Sequence, residues 1–557
     1  MDSSSPLRRA AWPAMLAAAG LTGALFVSCQ AITGRHATPT PTRTPRPPTA
    51  TPTLIPSPTP TPAWPLSASC DADVPYSACD RFREAVDRDP DHFAWTDDSA
   101  LAEVHLGTQG LSDSRPFGTW VYALVAPFFA VNDQVTAADL SAPWGGEPAG
   151  LLTEHPLLVS PDTRAALGLT TLGGGVHVLE ASELLTEAIQ SNSWAIVPFD
   201  ELEPRWKVLE VDGVSPIDRA LDLQAYPLAR ALYLRAHHRP DVLSRLPSGF
   251  TNRDPGKMTV LMMTGVTALT RGTGVTMERE GVTYPARDVW AWLTEPDITH
   301  VSNEVSFAQD CPAPTGQSTM VFCSDPRYFG LFEHVDVDVV ELTGNHLLDW
   351  GLEAMQDSLR MYEEHGLRYF GGGWDLEHAR QPVTITHGVH TFGFAGCNPI
   401  GPASVWATVE RPGAAPCDYG LLLAQIGAMR ERGVIPIVTL QHWEVDQYAP
   451  TSSQRVDFRA LAEAGAAVVS GSQAHWPQGF EFHAGSFIHY GLGNLFFDQM
   501  QRVEYRQEFL DRHVFYDGRH ISTEVLTAIL EDYARPRPMT EEERKSLLEA
   551  AFAVSEW

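Results

Sequence analysis

The sequence predicts an α/β protein whose two folded domains follow a non-globular leader. Three observations point there. Short apolar runs end repeatedly in polar turns: in DVVELTGNHLLDWG, residues 338–351, Val339, Val340 and Leu342 suit a buried strand, and Gly344 permits a turn that presents Asn345 and His346. Helical periodicity then takes over, with Leu352, Met355, Leu359 and Tyr362 along one face and Gly366 as a stop. Finally, a turn-rich stretch from Pro247 to Gly256 separates an earlier set of strands from a later one. Sites in α/β folds gather outside the carboxyl ends of strands, so the polar turns are where chemistry is expected.

The leader comes first. Arg8 and Arg9 precede a mostly apolar run from Ala10 to Val27. Leu25, Phe26, Val27, Ser28 and Cys29 resemble the lipobox of bacterial lipoproteins, which implies a signal segment over 1–29, lipidation of Cys29 and an extracytoplasmic body anchored to a bacterial cell membrane. An uncleaved anchor or an ordinary signal peptide is the alternative, and either also places the body outside the cytoplasm. Residues 30–69, dominated by Thr and Pro from Thr38 to Pro62, are expected to form an extended stalk. The six remaining cysteines suit an oxidising compartment, and local spacing favours Cys70–Cys79, Cys311–Cys323 and Cys397–Cys417 among the pairings they allow.

Charge narrows the function. The 557 residues carry 39 Lys and Arg against 69 Asp and Glu, a net charge of -30. Such a surface repels a phosphate backbone over most of its area, so no nucleic-acid partner is expected.

Residues 70–250 form the smaller α/β domain. Asp87 to Thr108 contributes an early strand, and Phe117 to Val131 reads as a buried strand with a helix as the alternative. ASELLTEAIQ, residues 181–190, is a helix with Leu184, Leu185, Ala188 and Ile189 on one side; residues 194–209 give strand, turn and strand. Over residues 92–246 the arrangement resembles part of a type 2 periplasmic solute-binding domain, which implies a cleft for a small ligand. Asp200, Glu201 and Glu203 read better as a solvated acidic loop than as ligand contacts.

Residues 257–500 carry the chemistry, and residues 501–557 are set apart as an extension. Lys257–Thr264 is a strand; Ile298–Val301 is another and delivers Ser302, Asn303 and Glu304. Gly371, Gly372 and Gly373 lack the Lys and Ser or Thr of a phosphate-binding loop and read as a turn. VIPIVTL, residues 434–440, delivers Gln441, His442, Trp443 and Glu444; AAVVS, residues 466–470, delivers Gly471 to His475. Imidazole, carboxylate and amide oxygen together suit a divalent metal, so Glu304, Asn345, His346, His442 and His475 are the expected ligands. Mn, Fe and Zn all accept that mixture. His346 is also a candidate acid or base, with Asp349 either supporting its ring or capping the following helix.

These turns resemble those of the CapA family, associated with poly-gamma-glutamate capsule production. The resemblance rests on GVTALTR (265–271), SNE (302–304), GNHLLDWG (344–351), QHWE (441–444), GSQAHWPQG (471–479) and HYGLGNLFFD (489–498). It implies a calcineurin-like metallophosphoesterase fold and catalytic roles for His346 and Asp349; Arg271 and Gln473 are candidate contacts to an anionic substrate, with pairing at the surface the favoured reading of Arg271. It also implies an anionic cell-envelope polymer or peptide and capsule-export proteins as partners. Three departures stand out: Val266 replaces the family's Asp, Ser302 its Asn, and Gln473 the first of its paired histidines. An altered or mononuclear site is therefore expected in place of a metal pair, and a polymer-binding or assembly protein without catalysis is the competing reading.

Overall fold

The computed structural model describes residues 64–144, 146–169, 175–236, 238–316 and 320–557. The signal segment, Cys29 and nearly all of the stalk lie outside the described residues. Residues 64–69 do not: a strand already runs from Leu66 to Cys70, inside the stretch assigned to the stalk, because Leu66 and Ala68 are buried in the first core. No helix among the described residues is long and apolar enough to cross a membrane.

The first region is a ten-stranded mixed sheet. Its spine is the strand Arg115–Pro127, which pairs antiparallel with Ala229–Ala236 on one side and Trp194–Pro198 on the other. From Trp120 to Ala126 every side chain is buried, which explains why strict alternation is missing from that stretch of sequence. The 181–190 segment begins with a 3-10 turn and becomes an α-helix at Leu184–Ser191.

Two further sheets build the second region. The nine-stranded sheet has the parallel strands Arg368–Phe370, Val339–Glu341, Ile298–Asn303 and Met258–Thr264, then the antiparallel strands Gln507–Tyr516, Arg519–Glu531 and Arg535–Pro538. The six-stranded sheet centres on the parallel strands His390–Cys397, Ile435–Leu440, Val468–Ser470 and Ser486–His489. Alternation explains how they pack: on Met258–Thr264, Leu261 and Met263 point into an aromatic layer with Phe392, Phe394, Phe480 and Phe487 of the other sheet, while Met262 points the opposite way. That opposite face is covered by the helix Leu352–Glu364 through Met355, Leu359 and Tyr362. The helices Tyr419–Glu431 and Ser452–Ala464 cover the outer face of the six-stranded sheet. The layers run helix, sheet, sheet, helix.

Residues 501–557 belong to this body. Gln507–Tyr516 lies beside Met258–Thr264 in the sheet, and the helix Glu541–Phe552 buries Leu547, Leu548 and Ala551 in the aromatic layer. Disulfides join Cys70 to Cys79, Cys311 to Cys323 and Cys397 to Cys417.

Candidate functional site

Four turns converge at the carboxyl ends of parallel strands. Glu304 follows Ile298–Asn303, Asn345 and His346 follow Val339–Glu341, Glu444 follows Ile435–Leu440, and His475 follows Val468–Ser470. Gly344 allows two of them to approach: a Cβ there would lie 2.8 Å from Glu304 Cα. Its backbone needs no left-handed conformation, so closeness and not turn geometry requires glycine.

One ligand atom from each of Glu304, Glu444 and His475 lies within 4.8 Å of the others. His475 Nε2 is 3.8 Å from Glu304 Oε1 and 3.6 Å from Glu444 Oε2. Glu304 is wholly buried and neither carboxylate oxygen has a hydrogen-bond partner. Burial pushes its carboxyl pKa up, against the lowering pull of His475 and His346. His475 is oriented from behind: its Nδ1 meets Asn494 Oδ1 at 2.7 Å, while the Asn494 amide nitrogen donates to Gln499 Oε1 at 3.1 Å and the Tyr505 carbonyl at 2.9 Å. Those donations turn the Asn494 oxygen to the ring, assign the proton to Nδ1 and leave the Nε2 lone pair facing the carboxylates. Asn345 donates to Glu444 Oε1 at 3.4 Å, and its own oxygen is buried without a partner.

His346 stands beside this cluster. Its Nδ1 is 2.6 Å from Asp349 Oδ2, an oxygen that also accepts the Phe322 N–H at 3.0 Å. Burial pulls the imidazole pKa down, but the Asp349 hydrogen bond and the charge of Glu304 outweigh it and leave the ring more basic than usual. Asp349 supports His346 and does not cap the next helix, whose N-cap is Gly351.

Two expectations change. His442 is not in the cluster: its Nε2 lies 3.2 Å from Asp457 Oδ2, which also accepts from the Tyr419 hydroxyl at 2.6 Å, and burial lowers the His442 pKa. Glu444, two residues further along the same turn, takes the place expected of it. Arg271 is paired, as the favoured reading has it: its partner is Asp498, both side chains are 11% exposed, and its guanidinium lies against Phe322 and Phe497. Gln473 is buried, donates to Ser302 Oγ at 2.6 Å and keeps an unpartnered oxygen. Val266 packs with Ala268, Val305, Phe322 and Phe497 in a small apolar cluster.

A buried carboxylate without donors, a second carboxylate, an imidazole lone pair and an unpartnered amide oxygen fit a divalent cation, since buried charges persist where they are paired or coordinate metal. Residues 260–499 match the family model of bacterial capsule synthesis protein PGA_cap. In that stretch the chain is homologous to the CapA/PGA_cap family. PGA biosynthesis protein CapA of Bacillus subtilis (strain 168) is 28% identical over 220 residues, 39% of this chain and 55% of that protein. Capsule biosynthesis protein CapA of Bacillus anthracis is 29% identical over 209 residues, 36% of this chain and 50% of that protein. The chain thus spans about half the length of the curated relatives it matches. Among solved structures, an ABC-type phosphate transport receptor from Vibrio cholerae covers 32% of this chain and 90% of its own at 13% identity and a TM-score of 0.26, too slight a likeness to carry an argument.

Proposed function

We propose that this is a CapA-like protein with a calcineurin-like metallophosphoesterase fold, which acts on or helps export an anionic cell-envelope polymer and uses one divalent cation, Mn, Fe or Zn. The observation that carries the reading is the donorless, wholly buried carboxylate of Glu304 facing His475 and Glu444. Glu304, Glu444, His475 and the Asn345 oxygen would hold the ion. When bound, such an ion supplies a Lewis acid that lowers the pKa of water and draws charge from an amide or phosphoryl oxygen.

The chain's own groups supply the rest. Asn494 holds the His475 ring and fixes its tautomer. Asp349 holds His346, which is raised in basicity and placed to carry a proton at Nε2 between solvent and a reacting group. Glu304, Glu444 and Asp349 make the neighbourhood acidic, Asp498 being paired with Arg271, so an anionic polymer needs the ion's charge to approach. The Cys29 lipobox, the Thr/Pro stalk and the three disulfides support an extracytoplasmic, lipid-anchored protein acting beside capsule-export proteins.

Element-resolved metal content of the purified chain tests the site against the double variant Glu304→Gln/His475→Ala, with folding checked for both. Stoichiometric metal in the parent and loss in the variant is expected. Metal in neither, with Mn, Fe and Zn each supplied, would favour the second reading, a polymer-binding or assembly protein, for which the apolar surroundings of Val266 and the burial of Gln473 speak.

A further inference from the structure

A continuous stack of side chains links His346 to His475. The His346 ring lies 4.3 Å from that of Phe322, Phe322 meets Phe497 edge to face at 6.1 Å, and Phe497 lies 5.2 Å from the His475 ring. In the angle between the two phenylalanines sits Arg271, its guanidinium carbon 4.9 Å from one ring centre and 4.8 Å from the other. Asp498, the residue after Phe497, accepts from Arg271 Nε at 3.1 Å and from the Gly272 N–H at 2.7 Å. Phe322 is tied in turn to Asp349 through its backbone N–H, and Asp349 holds His346.

The backbone of Arg271 has φ +44°, a region that side-chain-bearing residues seldom enter. Such a conformation persists where the surroundings over-determine it, and it tends to mark functional sites. Here the surroundings are an ion pair and two aromatic faces, each favourable for a planar cation held out of water.

We infer that Arg271 is a positioning residue for the cluster: anchored by Asp498, its guanidinium sets the angle between Phe322 and Phe497, and through these rings the separation and tilt of His346 and His475. The inference rests on reading the cluster as a metal site. A lysine would keep the charge and a partner in Asp498 but would offer no plane for the two rings to close on.

Two readings on the full chain test this. Histidine-ring nitrogen NMR of the chelator-treated protein reports the environments of His346 and His475; Mn titration reports affinity. Arg271→Ala is expected to move both ring signals and to weaken Mn binding by about tenfold, the scale at which residues supporting metal ligands act. Arg271→Lys is expected to restore the fold without restoring the affinity. Unchanged ring signals and affinity in Arg271→Ala would overturn the inference. If Arg271→Ala fails to fold, Phe497→Leu, which removes the aromatic face and stays apolar, is read in the same way, and unchanged signals there overturn it equally. If the parent binds none of Mn, Fe and Zn, the metal reading falls, while the ring signals of the metal-free protein still decide whether Arg271 positions the imidazoles.

Discussion

Replacing Glu304 by Gln should change sign with metal. In the metal-free chain this carboxylate is wholly buried, both oxygens lack partners, and burial raises its pKa above the ordinary 4.5. A carboxyl that binds its proton more tightly when folded contributes stability that is complete below the unfolded pKa and is lost as pH rises through the folded one. Above the folded pKa the ionised group is therefore a cost, about 2 kcal/mol on the scale of an unpaired buried polar group. Glutamine keeps the shape and removes the charge, so the metal-free variant should be the more stable. With metal the balance reverses: a cation at about a hundred times its Kd stabilises the parent by about 2.7 kcal/mol, and the variant forfeits most of that. Thermal unfolding at mildly alkaline pH should show the variant melting above the parent in chelator and below it in excess Mn, with the chelator difference shrinking in acid. A variant that melts below the parent in chelator would refute Glu304 as an uncompensated buried charge.

Glu444→Gln should lower metal affinity by about tenfold or more, and His442→Ala by less, because His442 is engaged by Asp457 outside the cluster; calorimetric titration of both variants decides it. Burial holds the His520 pKa down to about 3 against 6.5 unfolded, so its contribution to stability is complete above the unfolded value and disappears as pH falls toward the folded one. That is worth roughly 5 kcal/mol at most, and His520→Phe should flatten the acid limb of urea-unfolding stability if the larger ring is accommodated. Asp133, held down to about 2 with burial opposed by Arg544 and Lys207, bridges the first region to the helix Glu541–Phe552. Asp133→Ala removes the carboxylate partner of the buried Lys207 ammonium, which keeps the Ala130 and Val131 carbonyls, and should cost about 2 kcal/mol in chemical denaturation, a figure reduced because the Asp133 side chain is 48% exposed.

The strand-and-turn grammar was readable because it is local. Val339, Val340 and Leu342 announce a buried strand and Asn345 and His346 its polar end; the same logic finds Glu304 and His475. Choosing between His442 and Glu444 required the path of a turn, and Asp457, on a helix 15 residues beyond His442, decides it. Pairing was the favoured reading of Arg271, but its partners could not be named because the rings and carboxylate that enclose it, Phe322, Phe497 and Asp498, arrive from distant parts of the chain. The 501–557 segment looked separable for the same reason: alternation shows that Gln507–Tyr516 is a strand but cannot say that Met258 pairs with Tyr516. The triple glycine at 371–373 read as a turn, but Gly372–Gly373 is a short strand paired with Gly413–Ala414, and the glycines serve close approach: a Cβ on Gly371 would lie 2.5 Å from the Thr343 methyl and one on Gly372 2.7 Å from the Leu342 carbonyl.

The placement of Gln507–Tyr516 beside Met258–Thr264 sets the order in which the molecule can mature. A growing chain can assemble the ten-stranded sheet from its own neighbours once Phe250–Thr251 has emerged, yet Met258–Thr264, the strand beside the one that leads to Glu304, lacks its antiparallel neighbour until residues 507–516 are made. Contacts this remote form late and slowly. Glu304 therefore waits for Glu444 and His475, made 140 and 171 residues after it, and for the strand at 507–516 that flanks Met258–Thr264, before the cluster can close. A chain cut short before Gln507 would keep every residue of the cluster in its sequence and leave one edge of Met258–Thr264 unpaired.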